Sequence, residues 1–269
     1  MVFALNIYRR LLGAQVRGQM QYRASFFFEF FGAILITLFE YASLALVFDR
    51  FGSLQGWSLG EVAFLYGLSE ISFGVMNLLF GGFDPGTFGI EIRRGTFDQY
   101  LLRPINITLQ VLSSRFVLRR IGKIGVGLGI FITALNMTSI HWNIAKIIYL
   151  PMVVLGITFF FGSLFMVGST ITFWTVESIE VINIFTYGGS FMISHPMHIY
   201  PNWLRRIFTY VIPAAFLNYY PALYFLDKPD PFNLPAAASF AAPLAGIIFI
   251  FISTAFWLFG IQHYQSTGT

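Results

Sequence analysis

The chain has 269 residues, of which 57% are apolar, 19% aromatic and only 10% charged, with a mean hydropathy of +0.71. A soluble domain carries about 25% charged residues, so this chain cannot coat a water-facing surface, and its 33 Phe would drive aggregation there. The same apolar content excludes disorder, and the modest net charge of +4 gives no reason to expect nucleic acid as a partner. A lipid bilayer is the solvent these residues fit, with room for about six helical crossings at about 20 residues each. Cysteine is absent, which excludes disulfides, thiol nucleophiles and thiolate metal sites.

Residues 1–25 read as an interfacial helix. Leu5, Tyr8, Leu12, Val16 and Met20 recur at spacings of three and four, while Arg10 and Arg17 lie seven apart on another face. Such a helix lies in the headgroup layer with its arginines on anionic lipid, although an ordinary cytosolic cap fits the same pattern. Arg9 and Arg10 interrupt the apolar run, so a cleaved signal peptide is not expected.

A first span is predicted at 26–48, carrying Glu29 and Glu40, and a second at 61–80, carrying Glu70. Between them Ser58 and Glu61 have the spacing of a capping box. Gly81, Gly82 and the Asp84-Pro85-Gly86 turn end the second span. A third follows at 121–140, where Gly122, Gly125, Gly127 and Gly129 permit close helix–helix approach. The fourth, at 144–170, contains Pro151, where a kink is expected. A shorter apolar stretch at 181–193 is the fifth.

Seven prolines then divide 194–235 into pieces too short to cross, among Tyr and Trp that favour the interface, so short re-entrant helices are expected. The sixth span is 236–260. Eleven Lys and Arg fall in 1–25 and 81–123, against five on the opposite side. This bias places both termini and the 81–120 loop in the cytoplasm.

Several chemistries are missing from the sequence. It contains no P-loop, no HExxH and no GxSxG. His195 and His198 flank Pro196 without a neighbouring carboxylate, a poor metal site. The chain is therefore not expected to be an enzyme or to hold a metal or cofactor of its own.

The most specific stretch is Ile-Glu-Ile-Arg-Arg-Gly-Thr-Phe-Asp-Gln-Tyr-Leu-Leu-Arg-Pro at 90–104. One helix is expected to end at Gly95, a second to be capped by Thr96 and stopped by Pro104. Phe97, Leu101 and Tyr100 give that second helix an apolar side, and Arg93, Arg94, Asp98 and Arg103 a charged one. A short amphipathic helix held outside the membrane suits docking in a partner's groove. A solvated loop whose arginines fix topology accounts for the same residues.

At this point the chain resembles a family. Gln21-Tyr22-Arg23 before the first span, Phe51 to Glu61 before the second, the 92–104 loop and the run Asn218-Tyr219-Tyr220-Pro221-Ala222 are similar to bacterial ABC-2 type permeases. The likeness is to a branch once catalogued only as a domain of unknown function. It implies an all-α half-transporter of six helices in the bacterial inner membrane. It also implies a coupling helix within 86–104, a second permease subunit, identical or sister, and a separate P-loop ATPase that handles ATP and Mg2+. Residues Glu91, Arg93, Arg94, Phe97, Asp98, Tyr100, Leu101 and Arg103 are then the expected ATPase contacts, with Phe97 and Leu101 filling a pocket on it.

Glu40 and Glu70 are expected at similar depth, about 12–14 Å from the outer surface. A carboxylate there costs about 2.5–3.5 kcal/mol unless it finds a partner or a cavity. One reading is an acidic site for an organic cation, with Tyr41, Tyr66 or Phe73 supplying cation–π contact. The other is a structural bond between helices. Glu29, Glu177 and Glu180 are expected to be solvated or paired with basic residues, and Arg205 and Arg206 to reach the outer headgroups. Outside the exporter reading stand a non-transporting scaffold and an ATP-independent carrier; the lack of an internal repeat weighs against the carrier.

Overall fold

The computed structural model describes residues 2–175, 180–211, 213–230, 232 and 234–266. Glu177 and the side chains of Glu180 and His198 lie outside the described residues. The described chain is all-α, without a strand. In order come α1 (Val2–Gln21), α2 (Arg23–Phe51), α3 (Leu59–Phe80), α4 (Pro85–Arg93), α5 (Asp98–Leu101), α6 (Ile107–Ser114) and α7 (Arg119–Met137). Then follow α8 (Ile144–Thr175), α9 (Glu180–Asn183), α10 (Gly189–Ile193), α11 (Asn202–Arg206), α12 (Ala214–Leu217), α13 (Tyr219–Phe225) and α14 (Ala241–His263).

Among the described residues five helical stretches are long and apolar enough to cross a membrane: α2, α3 with its continuation to Arg93, α7, α8, and 236–263. The stretch Val181–Ile193 is apolar but shorter, and a π-helical turn at Ile184–Gly188 joins α9 to α10. α8 runs unbroken through Pro151.

α3 is the axis of the bundle. It begins with the reciprocal cap of Ser58 and Glu61, each side chain bonded to the other's backbone N–H. It packs along α7 and α8, and α14 packs along α8. In the most apolar 18-residue window of each helix, 83% of α3 is buried but only 11% of α2, so α2 stands at the periphery. Two of the four α7 glycines make the expected close approaches. Gly122 lies against Phe30 of α2 and Gly127 against Glu70 and Ile71 of α3, whereas Gly125 and Gly129 face open space. The tightest approach of a glycine to another long helix's backbone joins α8 and α14, where a Cβ on Gly246 would sit 2.5 Å from the Gly156 carbonyl oxygen.

At one end of the bundle α1 lies on α6, and Gln19 accepts a hydrogen bond from the Leu118 N–H at 3.0 Å. Tyr264, just past α14, reaches Asp98 at the same end. The helices nearest both chain ends therefore flank the 84–118 region. At the opposite end the short pieces of 194–235 pack inward. Tyr219 and Tyr220 are buried, against the expectation of an interfacial belt, while Trp203 and Tyr210 are exposed. The difference arises because Asn218, itself buried, donates to the carbonyls of Leu65 (2.9 Å) and Ile193 (2.8 Å) and draws α13 into the bundle. Lys146, buried beneath the same segment, donates to Phe225 O and to both Asp227 oxygens.

Gly246→Ala and Gly125→Ala gain the same helix propensity, about 1 kcal/mol, so their difference isolates the clash. We expect Gly246→Ala to lower the thermal midpoint in mild detergent by about 3–8 °C relative to Gly125→Ala, because backbone atoms cannot move aside.

Candidate functional site

Two places in the fold gather the polar residues singled out by the sequence. The first is the 84–118 loop region. Asp84 caps α4 by accepting from Gly86 N–H at 3.0 Å, with Pro85 in the first turn. α4 ends at Arg93, and Gly95 turns the chain with φ of +65°. Thr96 does not cap α5: its N–H and hydroxyl both donate back to Glu91 O, at 3.0 and 3.1 Å. α5 is then a single turn, too short for the amphipathic split expected of it.

Phe97 faces inward. It has no exposed surface and is ringed by Tyr264 (4.9 Å between centroids), Phe173 (5.2 Å), Phe88 (5.5 Å), Tyr100 (5.9 Å) and Trp257 (6.3 Å). In this structure it therefore cannot fill a pocket on a partner. Such contacts contribute about 0.5–1.5 kcal/mol per ring pair beyond the area buried. Trp257 donates its Nε1–H to Thr108 Oγ1 at 3.0 Å. The cluster thus joins the loop to the ends of α8 and α14.

Asp98 also turns toward its own chain, accepting from Tyr264 (2.9 Å) and Ser266 (2.6 Å). Burial, followed by the hydrogen bond to Asp98, pushes the Tyr264 phenol up to about 12, so it stays protonated as the donor. Tyr100 is half-buried beside Glu91 and Ser114, and Glu91 lies 3.9 Å from Arg115. Burial, and after it the Glu91 charge, raises the Tyr100 pKa above its ordinary value. Glu91, Tyr100 and Arg103 line a cavity of about 340 Å³ whose other wall is α1, through Leu11, Ala14 and Gln15. The outward surface consists of Arg93, Arg94, Leu101, Leu102 and Arg103. Leu102, at 84% exposure the most open of these leucines, is an exposed apolar side chain that the sequence pattern does not single out.

The second place is a cavity of about 410 Å³ between α2, α3 and the 187–195 segment. Glu40, Tyr66 and Glu70 line it together with Lys123, Tyr187, Ser190, Phe191, Ser194 and His195. Tyr41 and Phe73 stand behind the wall: Tyr41 lies 6.1 Å from the Tyr66 ring, and Phe73 packs on Tyr187 and Phe161. The two carboxylates differ. Glu70 is buried and forms an ion pair with Lys123, Nζ to Oε2 3.0 Å. Glu40 is exposed, and among the described residues its carboxylate accepts only from the Tyr66 hydroxyl, at 3.0 Å.

Lys123 and His195 carry roles that composition alone did not single out; Lys123 counted only as a topology charge. The His195 ring lies on Phe191 with Nδ1 3.1 Å from its carbonyl oxygen, and burial lowers its pKa, leaving a neutral imidazole. Of the other expected carboxylates, Glu29 pairs with Arg119 at 2.6 Å, tying α2 to α7. Arg205 bonds Asn202 and lies over Phe232. Among the described residues no group of three metal-ligating side chains occurs.

Comparison with protein families matches residues 34–268 to the family described as "ABC-2 family transporter protein". The chain belongs to the ABC-2 transporter family. This match takes in every long helix from the middle of α2 onward, both polar sites and the Tyr264–Asp98 contact. An ABC-2 permease is a multi-pass membrane component of an ABC-type transporter, and the apolar helices of this chain fit that role. Comparison with curated proteins gives no match.

For this ABC-2 chain, Phe97→Ala should cost about 3–5 kcal/mol of stability, as expected of a buried ring. Leu102→Ala, at an open position, should stay within about 0.5 kcal/mol. Thermal unfolding of both variants in the same detergent checks the contrast.

Proposed function

We propose that this chain is half of the translocation pathway of an ATP-driven exporter, with ATP bound and hydrolysed by a separate P-loop subunit. The observation that carries this reading is a loop fixed by the buried Phe97 and displaying Arg94, Leu101, Leu102 and Arg103 outward. A surface of this kind, exposed leucines and arginines on one loop, suits an apolar groove with acidic groups on a partner. Arg93 extends the same cationic face. Glu91, Phe97, Asp98 and Tyr100 hold the loop's shape from inside.

Closure of two ATPase subunits would press on this surface. The aromatic cluster would carry the displacement to α8 and α14 as a rigid connection. A second permease subunit, identical or sister, completes the path, with Glu40, Tyr66 and Glu70 lining it and Tyr41 and Phe73 supporting them. The excess of Arg and Lys near α1 and the 84–118 region supports a cytoplasmic position for this end in a bacterial inner membrane.

The test reverses charge on the outward face without touching the buried rings. Arg94→Glu with Arg103→Glu should leave the thermal midpoint within about 2 °C, since exposed changes cost little. Co-purification of the ATPase subunit in mild detergent should fall at least about tenfold, or about 1.4 kcal/mol. Unchanged co-purification together with unchanged substrate-stimulated hydrolysis would refute the coupling assignment.

A further inference from the structure

The sequence treats Glu40 and Glu70 as equivalent, but the structure separates them. Glu70 is neutralised by Lys123, whose ammonium also lies 6.0 Å from the Phe73 ring centroid. Arg120, the next cation on α7, interacts with Asp84 and Tyr187. His195 is neutral. Glu40 is therefore the one carboxylate of the cavity with no cation beside it among the described residues, and its sole side-chain partner is the Tyr66 hydroxyl.

α2 is a 29-residue helix, about 43 Å long, and Glu40 lies about 16 Å from its outer end. This depth is inside the hydrocarbon layer, where an unpaired carboxylate is costly. A group retained at that cost is a site for a partner. The walls around it are Tyr66, Tyr187 and Phe191, with Ser43, Ser190 and Ser194 supplying hydroxyls. Aromatic faces and one negative charge in a low-dielectric chamber favour a cation over an anion or a neutral molecule.

We infer that the 410 Å³ cavity is a binding site for an amphipathic aromatic monocation, with Glu40 as its counter-ion and the Glu70–Lys123 pair as the element that shapes the wall. The inference rests on the exporter reading for its place in a transport path, but the site itself can be tested without an ATPase. Lys123 keeps Glu70 from competing for the ligand and sets the net charge of the lining at one negative unit. An anion would meet Glu40 and find Lys123 already occupied.

Binding is measured with the full chain in lipid nanodiscs, using radiolabelled tetraphenylphosphonium and the isosteric anion tetraphenylborate. The expected result is saturable binding of the cation alone. Glu40→Gln should weaken it at least about tenfold, about 1.4 kcal/mol, and Glu40→Asp should restore part of the loss. As a control outside the cavity, the double variant Glu29→Gln, Arg119→Met removes an ion pair between α2 and α7, and cation affinity should stay within about threefold.

Thermal midpoints of all variants are read in parallel, and Glu40→Gln should remain folded because it removes a charge from apolar surroundings. Equal affinity in Glu40→Gln, or tighter binding of tetraphenylborate, would overturn the inference. So would a Glu40→Gln variant that alters only permease pairing on size exclusion. Cation binding that depends on Glu40 without ATP-dependent transport in the assembled complex would keep the site and refute the exporter reading instead.

Discussion

The ring of Phe97 is wedged among Phe173 at the end of α8, Trp257 of α14 and Tyr264 just beyond it, and this burial determines where the 94–104 loop stands. A loop of this length has little structure of its own, since α5 is one turn and no cap holds its start. Its shape comes from outside, through one aromatic side chain inserted into the bundle and one carboxylate, Asp98, bonded to the tail. Because Phe97 looks inward, Leu101, Leu102 and the arginines look outward. The exposed surface follows from the buried one.

The same logic divides the membrane-embedded polar groups. Close approach between α3 and α7, where Gly67 meets Phe131 and Gly127 meets Glu70, leaves no room for a solvated carboxylate, and Lys123 answers Glu70 from the facing helix. α2 has no such intimacy with α3. Glu40 is left on the looser side of the cavity, with a phenol for company. The two intramembrane acids, alike in the sequence, thus stand in different settings: Glu70 in an ion pair between helices, Glu40 beside a single hydroxyl.

Much of the architecture is legible in the sequence because it rests on bulk hydropathy and local chemistry. Runs of apolar residues mark the long helices, Ser58 and Glu61 mark the start of α3, and the prolines after Ser194 exclude a spanning helix there. What is not legible depends on contacts between distant residues. The need of Glu70 for a partner can be read from its cost, but Lys123 lies on another helix, among charges that the sequence offers only as topology signals. The orientation of Phe97 cannot be read from helical periodicity because one turn has no period to express. Tyr219 and Tyr220 look like interfacial residues until Asn218 supplies the bonds that pull them in.

Asn218 also restricts what the far end of the molecule can do. Its amide nitrogen spends both protons on carbonyls of two different segments, Leu65 and Ile193, in a region without exposed surface. Raising α13 as a hinged lid would break both bonds at once in a dry setting, at a cost of about 1–3 kcal/mol for the stranded donor. α13 is thereby riveted to α3 and to the end of α10, so a movement that keeps both bonds carries these helices together.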